Sequence, residues 1–299
     1  MDKTQLLNST LVPIDFSVTS LIALDHAAAI ANLSDDNVNR VVTLLHVIEG
    51  ANFEPVYDIA EIEVSNRDAL AIEGAINRLQ SVIDKSKASY KVNFRYIVVG
   101  GKPSRKIAEV AEDIQAQSIV MGTHGSSGIQ ALAGSNASRV IQLSACPVIV
   151  VRETPIGQGY KNIVLPIDLS KESKQKVNIT VQIAKHFNST VHIVGIDEKD
   201  EFLASRMEAN INQVVEYFNE RGIATTATTL TEANGNFAIQ TLVWAQGKNA
   251  DLIVIMSQQE KGLSEYIFGS YAQQIVNRST IPVLTVNPDA RLKGVFGIM

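Results

Sequence analysis

Two tandem open α/β domains, each a five-stranded parallel sheet with helices on both faces, are what this chain predicts. Three observations carry that expectation. A short phrase is written twice, as Leu11-Val-Pro-Ile-Asp-Phe-Ser17 and Val164-Leu-Pro-Ile-Asp-Leu-Ser170. The correspondence persists downstream, where Ser118-Ile-Val-Met121 matches Leu252-Ile-Val-Ile255 and Cys146-Pro-Val-Ile149 matches Ile281-Pro-Val-Leu284. Each copy also alternates short apolar runs with stretches of helical period, the pattern of strand–helix–strand units with right-handed crossovers. A repeat of about half the chain is a whole domain rather than a solenoid unit, since domains span about 100–200 residues. The expected division is residues 1–152, residues 159–288 and a tail at 289–299, with the domains meeting around Arg152 and Gln158.

The strands of the first copy are expected at residues 11–15, 41–47, 94–99, 118–122 and 147–151. They are apolar throughout instead of alternating, as strands buried on both faces of a parallel sheet must be. Between them Ile72, Ile76, Leu79 and Ile83 recur at spacings of four, three and four, which makes one helical stripe facing the sheet. Met207, Ile211, Val214, Val215 and Phe218 do the same in the second copy. Residues 51–64, with Pro55 and Tyr57, are poorly patterned and are expected to form a loop with one helical turn and no chemistry. The tail, with Gly294 and Gly297, is expected to be irregular, its Val295-Phe296 packing on a domain or a partner.

Composition narrows the function classes. A hydrophobic share of 45% and a mean hydropathy of +0.08 are enough for two cores, and no run approaches the roughly 18–20 apolar residues of a membrane span. The opening Met1-Asp-Lys-Thr-Gln5 is polar and lacks the pattern of a secretory signal. The single cysteine, Cys146, is read inside an apolar strand and has no internal partner, so a reducing cytoplasm is the expected location. A net charge of −5 with scattered Lys and Arg offers no basic stripe, so nucleic acid and membrane are not expected as partners.

In doubly wound sheets ligands bind outside the carboxyl ends of the strands, where the strand order reverses. Three residues are read as closing strands there: Asp15, Val47 and Gly122. The fourth strand runs into Met121-Gly-Thr-His-Gly-Ser-Ser-Gly128, and Gly134-Ser135 precedes the helical stretch 136–143. Glycines let a ligand approach the backbone, and Ser135 is a good helix N-cap whose neighbouring amides are unpaired donors at the positive end of a dipole. Such a loop suits phosphate. The same glycines also read as plain turn and cap residues, and Asp15 as a cap for the helix beginning near Ser17.

Gly122, Gly125 and Gly134-Ser135, after a first strand ending Pro-x-Asp, resemble the universal stress protein family, whose nucleotide-binding members carry Gly-x2-Gly-x9-Gly-[Ser/Thr] here. The resemblance covers nearly the whole chain as two tandem domains and includes the Gly100-Gly-Lys-Pro103 turn and the Cys-Pro-Val last strand. It implies a Rossmann-like fold of the adenine-nucleotide α-hydrolase type and an adenine nucleotide, ATP or ADP or AMP, with or without Mg²⁺, in the first domain. Position by position it implies that Asp15 meets the adenosine part and that Pro13 and Val47 line the adenine slot. Gly122, Gly125, Gly134 and Ser135 match ribose and phosphate contacts. Asn136 adds a donor at the helix start, and His124 reaches ribose or phosphate from within the loop.

The chain departs from that pattern twice. Between Gly125 and Gly134 it has eight residues where the family pattern has nine. In the second domain Met256 and Gln259 stand where the glycines belong, and Glu260 adds a charge that repels phosphate. No nucleotide is expected there, and the retained Asp168 reads as a strand-end or cap residue. His46 and His192 lie in apolar strands and read as structural, and no zinc spacing or Ser nucleophile elbow is present.

The loop also lacks a lysine, and no acidic cluster for Mg²⁺ or Walker-type motif occurs, which favours binding over turnover and allows slow ATP hydrolysis at most. The expectation is a nucleotide-binding regulatory module of the stress response. The alternative is a scaffold that binds no nucleotide. The resemblance further implies that the two domains pair through their last strands as a pseudo-dimer within one chain, with a homodimer of chains also open.

Overall fold

The computed structural model describes residues 8–33, 39–58, 68–122, 135–152, 159–170, 172–197, 199–231, 236–257 and 269–288. The chain divides between Gly157 and Gln158 into two compact units. The first runs β1 (Ser9–Pro13), α1 (Val18–Asn32), β2 (Val41–Ile48), β3 (Val56–Tyr57), α2 (Ala69–Ser89), β4 (Asn93–Gly100), α3 (Pro103–Asp113), β5 (Ser118–Gly122), α4 (Ser135–Leu143) and β6 (Val148–Val151). Within this unit the strands are ordered β3-β4-β2-β1-β5-β6. All neighbours are parallel except β3, which pairs antiparallel with β4 through Val56 and Val98. The chain moves outward from β1 to β4 and then crosses back to β5, so the strand order reverses between β1 and β5.

The central strands are covered on both sides: Leu11, Val12, Leu44, Leu45 and Ile119 are all fully buried. Helix α2 buries Ile72, Ile76, Leu79 and Ile83, the stripe that the period predicts. Helix α1 is built differently. It buries Ala23, Ala27, Ala28 and Ala31, and these small side chains let its backbone come close to β1, β2, β5 and β6. Pro103 occupies the first turn of α3, where a missing amide proton costs nothing. Just before it Gly101 has φ +142° and Gly100 has no room for a Cβ, which would stand 2.8 Å from Phe53 N.

The second unit repeats the plan as β7 (Asn162–Pro166), a 3-10 turn (Glu172–Lys174), α5 (Gln175–Phe187), β8 (Thr190–Asp197), α6 (Glu201–Asn219), β9 (Ala224–Thr231), α7 (Phe237–Gly247), β10 (Leu252–Met256), α8 (Ser270–Arg278) and β11 (Val283–Val286). Its five strands are ordered β9-β8-β7-β10-β11, all parallel, with the reversal between β7 and β10. Met207, Ile211, Val214 and Phe218 of α6 are buried, while Val215 is half-buried at the edge of that stripe. Contacts of α3 with α4 and of α7 with α8 fit helices that share one face of each sheet.

Several sequence expectations shift locally. Residues 51–58 hold no helical turn; they lead into the two-residue β3 instead, and residues 59–64 lie outside the described residues. Val47 is followed by one more strand residue, Ile48, and Asp15 stands two residues past β1. Cys146 lies in a bend before β6, not in the strand, where burial pushes its thiol up to about 11 and leaves it protonated. Ser135 is the first residue of α4 rather than its cap. The tail from residue 289 lies outside the described residues.

Candidate functional site

The carboxyl ends of β2, β1 and β5 are adjacent, because Pro13 pairs with Leu45 and Leu11 with Ile119. Pro13, Asp15, Val47 and Gly122 therefore gather at the reversal point of the first sheet, the place where such sheets bind ligands. Pro13, Asp15 and Val47 are half-buried, neither sealed in the core nor fully in water.

Asp15 is fixed by the turn that starts α1. Its Oδ1 accepts the Ser17 amide at 2.9 Å, while Ser17 is itself the helix cap and accepts from Ser20 N at 3.2 Å. Asp15 is thus one step removed from the cap and holds the cap residue in place. Between them Phe16 has φ +64°, a left-handed conformation that is unusual for an aromatic residue. Its ring lies 4.8 Å from that of His46 and carries the Arg78 guanidinium 3.7 Å from its centre, a cation–π contact. His46 donates from Nδ1 to Ile14 O at 2.7 Å. Burial lowers the His46 pKa and the nearby Arg78 lowers it further, against the Ile14 hydrogen bond and Asp15, which raise it. The imidazole is accordingly neutral at pH 7.

Gly122 closes β5 against the first turn of α1. A Cβ there would stand 2.8 Å from Thr19 O and 2.9 Å from Thr19 Cβ. Glycine at this position is therefore required for α1 to start where it does, whether or not a ligand is bound. Ser135 and Asn136 open α4, whose first amides have no partner within the helix, and Asn136 is exposed. His124, Gly125 and Gly134 fall outside the described residues.

The second unit uses the same turn with different fillings. Asp168 Oδ1 accepts both Ser170 N at 2.9 Å and Ser170 Oγ at 2.5 Å, and Ser170 Oγ accepts Ser173 N at 3.2 Å. At the end of the fourth parallel strand Met256 replaces Gly122 and is buried. The helix following β7 begins only after the 3-10 turn, so the strand end meets that turn rather than a tight first helical turn. Gly269 caps α8 in an extended conformation, and its amide donates to Ser257 O at 3.0 Å. That bond brings the start of α8 beside the end of β10, the juxtaposition expected of an anion cradle.

The two histidines that the sequence analysis reads as structural, His46 and His192, both have protein partners. In the second unit His192 donates from Nε2 to Asn162 Oδ1 at 3.2 Å, and its Nδ1 then accepts the Thr226 hydroxyl at 2.8 Å. Sequence reasoning missed Phe16, Thr19 and Arg78. Phe16 lies inside the repeated phrase and could have been found there, but nothing in the local pattern of α2 marks Arg78, which follows the exposed Asn77 and precedes the buried Leu79.

A family model described as the universal stress protein family matches the chain twice, over residues 8–152 and 159–287. The chain belongs to the universal stress protein family. Universal stress protein MJ0577 of Methanocaldococcus jannaschii is 33% identical over 156 residues, spanning 93% of that relative and 48% of this chain. Universal stress protein YxiE of Bacillus subtilis is 34% identical over 157 residues, all of that relative and 49% of this chain. A crystal structure of a universal stress protein from Archaeoglobus fulgidus aligns over 97% of this chain and 99% of its own, with a TM-score of 0.71 at 20% identity. Relatives of both one-domain and two-domain length therefore occur, and the fold is the adenine-nucleotide α-hydrolase-like one.

Proposed function

We propose that the first universal stress protein domain binds an adenine nucleotide and that the second does not, so that one nucleotide per chain sets the state of a stress-response regulatory module. The observation that carries this reading is the asymmetry at the two reversal points. Asp15, Pro13 and Val47 stand beside a strand end with no side chain at Gly122, whereas the matching strand end is filled by Met256. In this reading Pro13 and Val47 line the adenine slot and Asp15 meets the adenosine part, while Gly122, Gly125, Gly134 and Ser135 take the ribose and phosphates, with or without Mg²⁺, helped by His124 and Asn136. Turnover is proposed to be slow at most, because the loop sequence carries no lysine to stabilise charge developing on a transferred phosphoryl group. The cytoplasm is the proposed location.

ATP binding is tested by thermal unfolding. Occupancy at about 100 times Kd adds about 2.7 kcal/mol to the domain that binds. The only tryptophan, Trp244, lies in α7 of the second unit and serves as an internal control. The expected outcome is a rise in the transition followed by far-UV circular dichroism for the first unit, with the direct effect absent from Trp244 fluorescence. A second reading, a scaffold without nucleotide, is favoured by the shortened loop between Gly125 and Gly134; no shift at millimolar ATP supports it instead.

A further inference from the structure

The two units treat one edge of their sheets differently. In the first, β4 carries the exposed Arg95 and is covered by β3, which sets Val56 against Val98 and Tyr57 against Ile97. The repeated Pro13 and Pro166 pair with Leu45 and Val194, and these pair with Ile97 and Thr228, so β9 stands where β4 does. Val98 is buried, and its counterpart Thr229 is exposed. Among the described residues β9 has a strand on one side only, β8. The cause lies in the connections: residues 49–68 link β2 to α2 and include β3, whereas only residues 198–200 link β8 to α6, too few to send a strand along the edge. An uncovered edge presents a row of unpaired amides and carbonyls, and proteins normally blunt it with charge, proline or a cover. Strand β9 reads Ala224-Thr-Thr-Ala-Thr-Thr-Leu-Thr231 and has no charged residue and no proline.

We propose that the free edge of β9 is a docking surface for a second copy of this chain, the two β9 strands pairing antiparallel about a twofold axis at Ala227. The sequence of the strand selects that occupant. Residues 225–229, Thr-Thr-Ala-Thr-Thr, read the same in both directions. Antiparallel pairing centred on Ala227 therefore sets Thr225 against Thr229 and Thr226 against Thr228 of the second copy, and Ala227 against itself. Opposed threonines are favourable cross-strand pairs, and without charge on the strand no like charges meet. A twofold contact of one patch with itself needs this kind of self-complementarity. The edge is also held in shape before any partner arrives. Thr225 Oγ1 donates to Asn219 Oδ1 of α6 at 3.0 Å, and on the opposite face Thr226 Oγ1 bonds His192 Nδ1 at 2.8 Å. The His192 ring in turn lies 6.1 Å from that of Trp244 in α7, so α6 and α7 flank β9 from the two faces. Every exposed large apolar side chain among the described residues of the second unit, Phe202, Ile239 and Val243, belongs to these two helices.

The test is sedimentation velocity of the intact chain at micromolar concentration without nucleotide, so that it succeeds or fails apart from the binding proposal. Wild type is expected to sediment with the mass of two chains. Ala227 is exposed and meets its own copy on the axis, so Ala227→Lys and Ala227→Glu each place like charges face to face. Each variant alone is expected to be monomeric, with far-UV circular dichroism unchanged. An equimolar mixture of the two is expected to regain the dimer, and to lose it again as salt screens the new ion pair. A monomeric wild type, the result if residues 289–299 or another protein cover this edge, overturns the proposal. So do variants that keep the wild-type mass, or monomeric variants whose mixture stays monomeric. If neither variant folds, hydrogen exchange of the wild type decides: amides of β9 are expected to exchange more slowly at high chain concentration than at low, and exchange independent of concentration overturns the proposal.

Discussion

At the scale of single residues, Gly122 and His26 make the sharpest demands. Adding one methyl at Gly122 sets a Cβ 2.8 Å from a backbone oxygen of α1, and backbone yields less readily than the end of a side chain. Gly122→Ala is expected to destabilise the first unit by about 1–3 kcal/mol in denaturant unfolding. The same change at a glycine with open space around it, Gly74, lies in the middle of α2 and should instead stabilise by about 0.5–1 kcal/mol. His26 is buried in α1, and burial pushes its pKa down to about 4. The unfolded chain takes up this proton near pH 6.5 and the folded chain only near 4. Stability from this group is therefore complete above pH 6.5 and is lost as pH falls toward 4. At 1.36 kcal/mol per unit the loss is about 3 kcal/mol. His26→Leu should flatten the acid limb of the first unit's stability curve, leaving the slope of the same sign that the lowered pKa of His46 contributes.

At the scale of elements, the two Asp-x-Ser turns share a plan and differ in strength. Ser17 caps α1 through one amide, so Ser17→Ala should cost about 1 kcal/mol. Ser170 also gives its hydroxyl proton to the Asp168 carboxylate, and a bond to a charged group is worth about 1.5–3 kcal/mol. Ser170→Ala should therefore cost more than Ser17→Ala, as read from Trp244 fluorescence and far-UV circular dichroism respectively. Much of this architecture was legible in the sequence. The buried strands of a parallel sheet carry continuous apolar runs, so their positions came out within two residues, and α2 and α6 showed themselves through one apolar stripe each. Helix α1 was less visible because it is buried against four strands and its apolar residues surround it, leaving no single face for a period to reveal. Strand β3 is two residues held by β4 alone, too short for any alternation. The delayed start of α5 and the buried Lys176 are tertiary facts: in the sequence Lys176 sits in the run Lys171-Glu-Ser-Lys-Gln-Lys176, which looks like a solvated helix start.

At the scale of the whole molecule, duplication followed by divergence gives one chain two similar sheets with unlike reversal points. The first keeps Asp15 beside a strand end with no side chain and a glycine-bearing loop sequence. The second ties the equivalent Asp168 to Ser170 and Ser173, and fills the matching strand end with Met256. No helix among the described residues is long and apolar enough to cross a membrane. The most direct measurement is calorimetric titration of ATP into the intact chain together with its Asp15→Asn and Asp168→Asn variants. Asparagine can still accept the Ser17 or Ser170 amide through its side-chain oxygen, so the turn is retained while the negative charge is removed. The account predicts one nucleotide per chain, affinity lowered at least about 10-fold by Asp15→Asn, or about 1.4 kcal/mol, and no change with Asp168→Asn. Two nucleotides per chain, none at all, or binding lost with Asp168→Asn and kept with Asp15→Asn would contradict it.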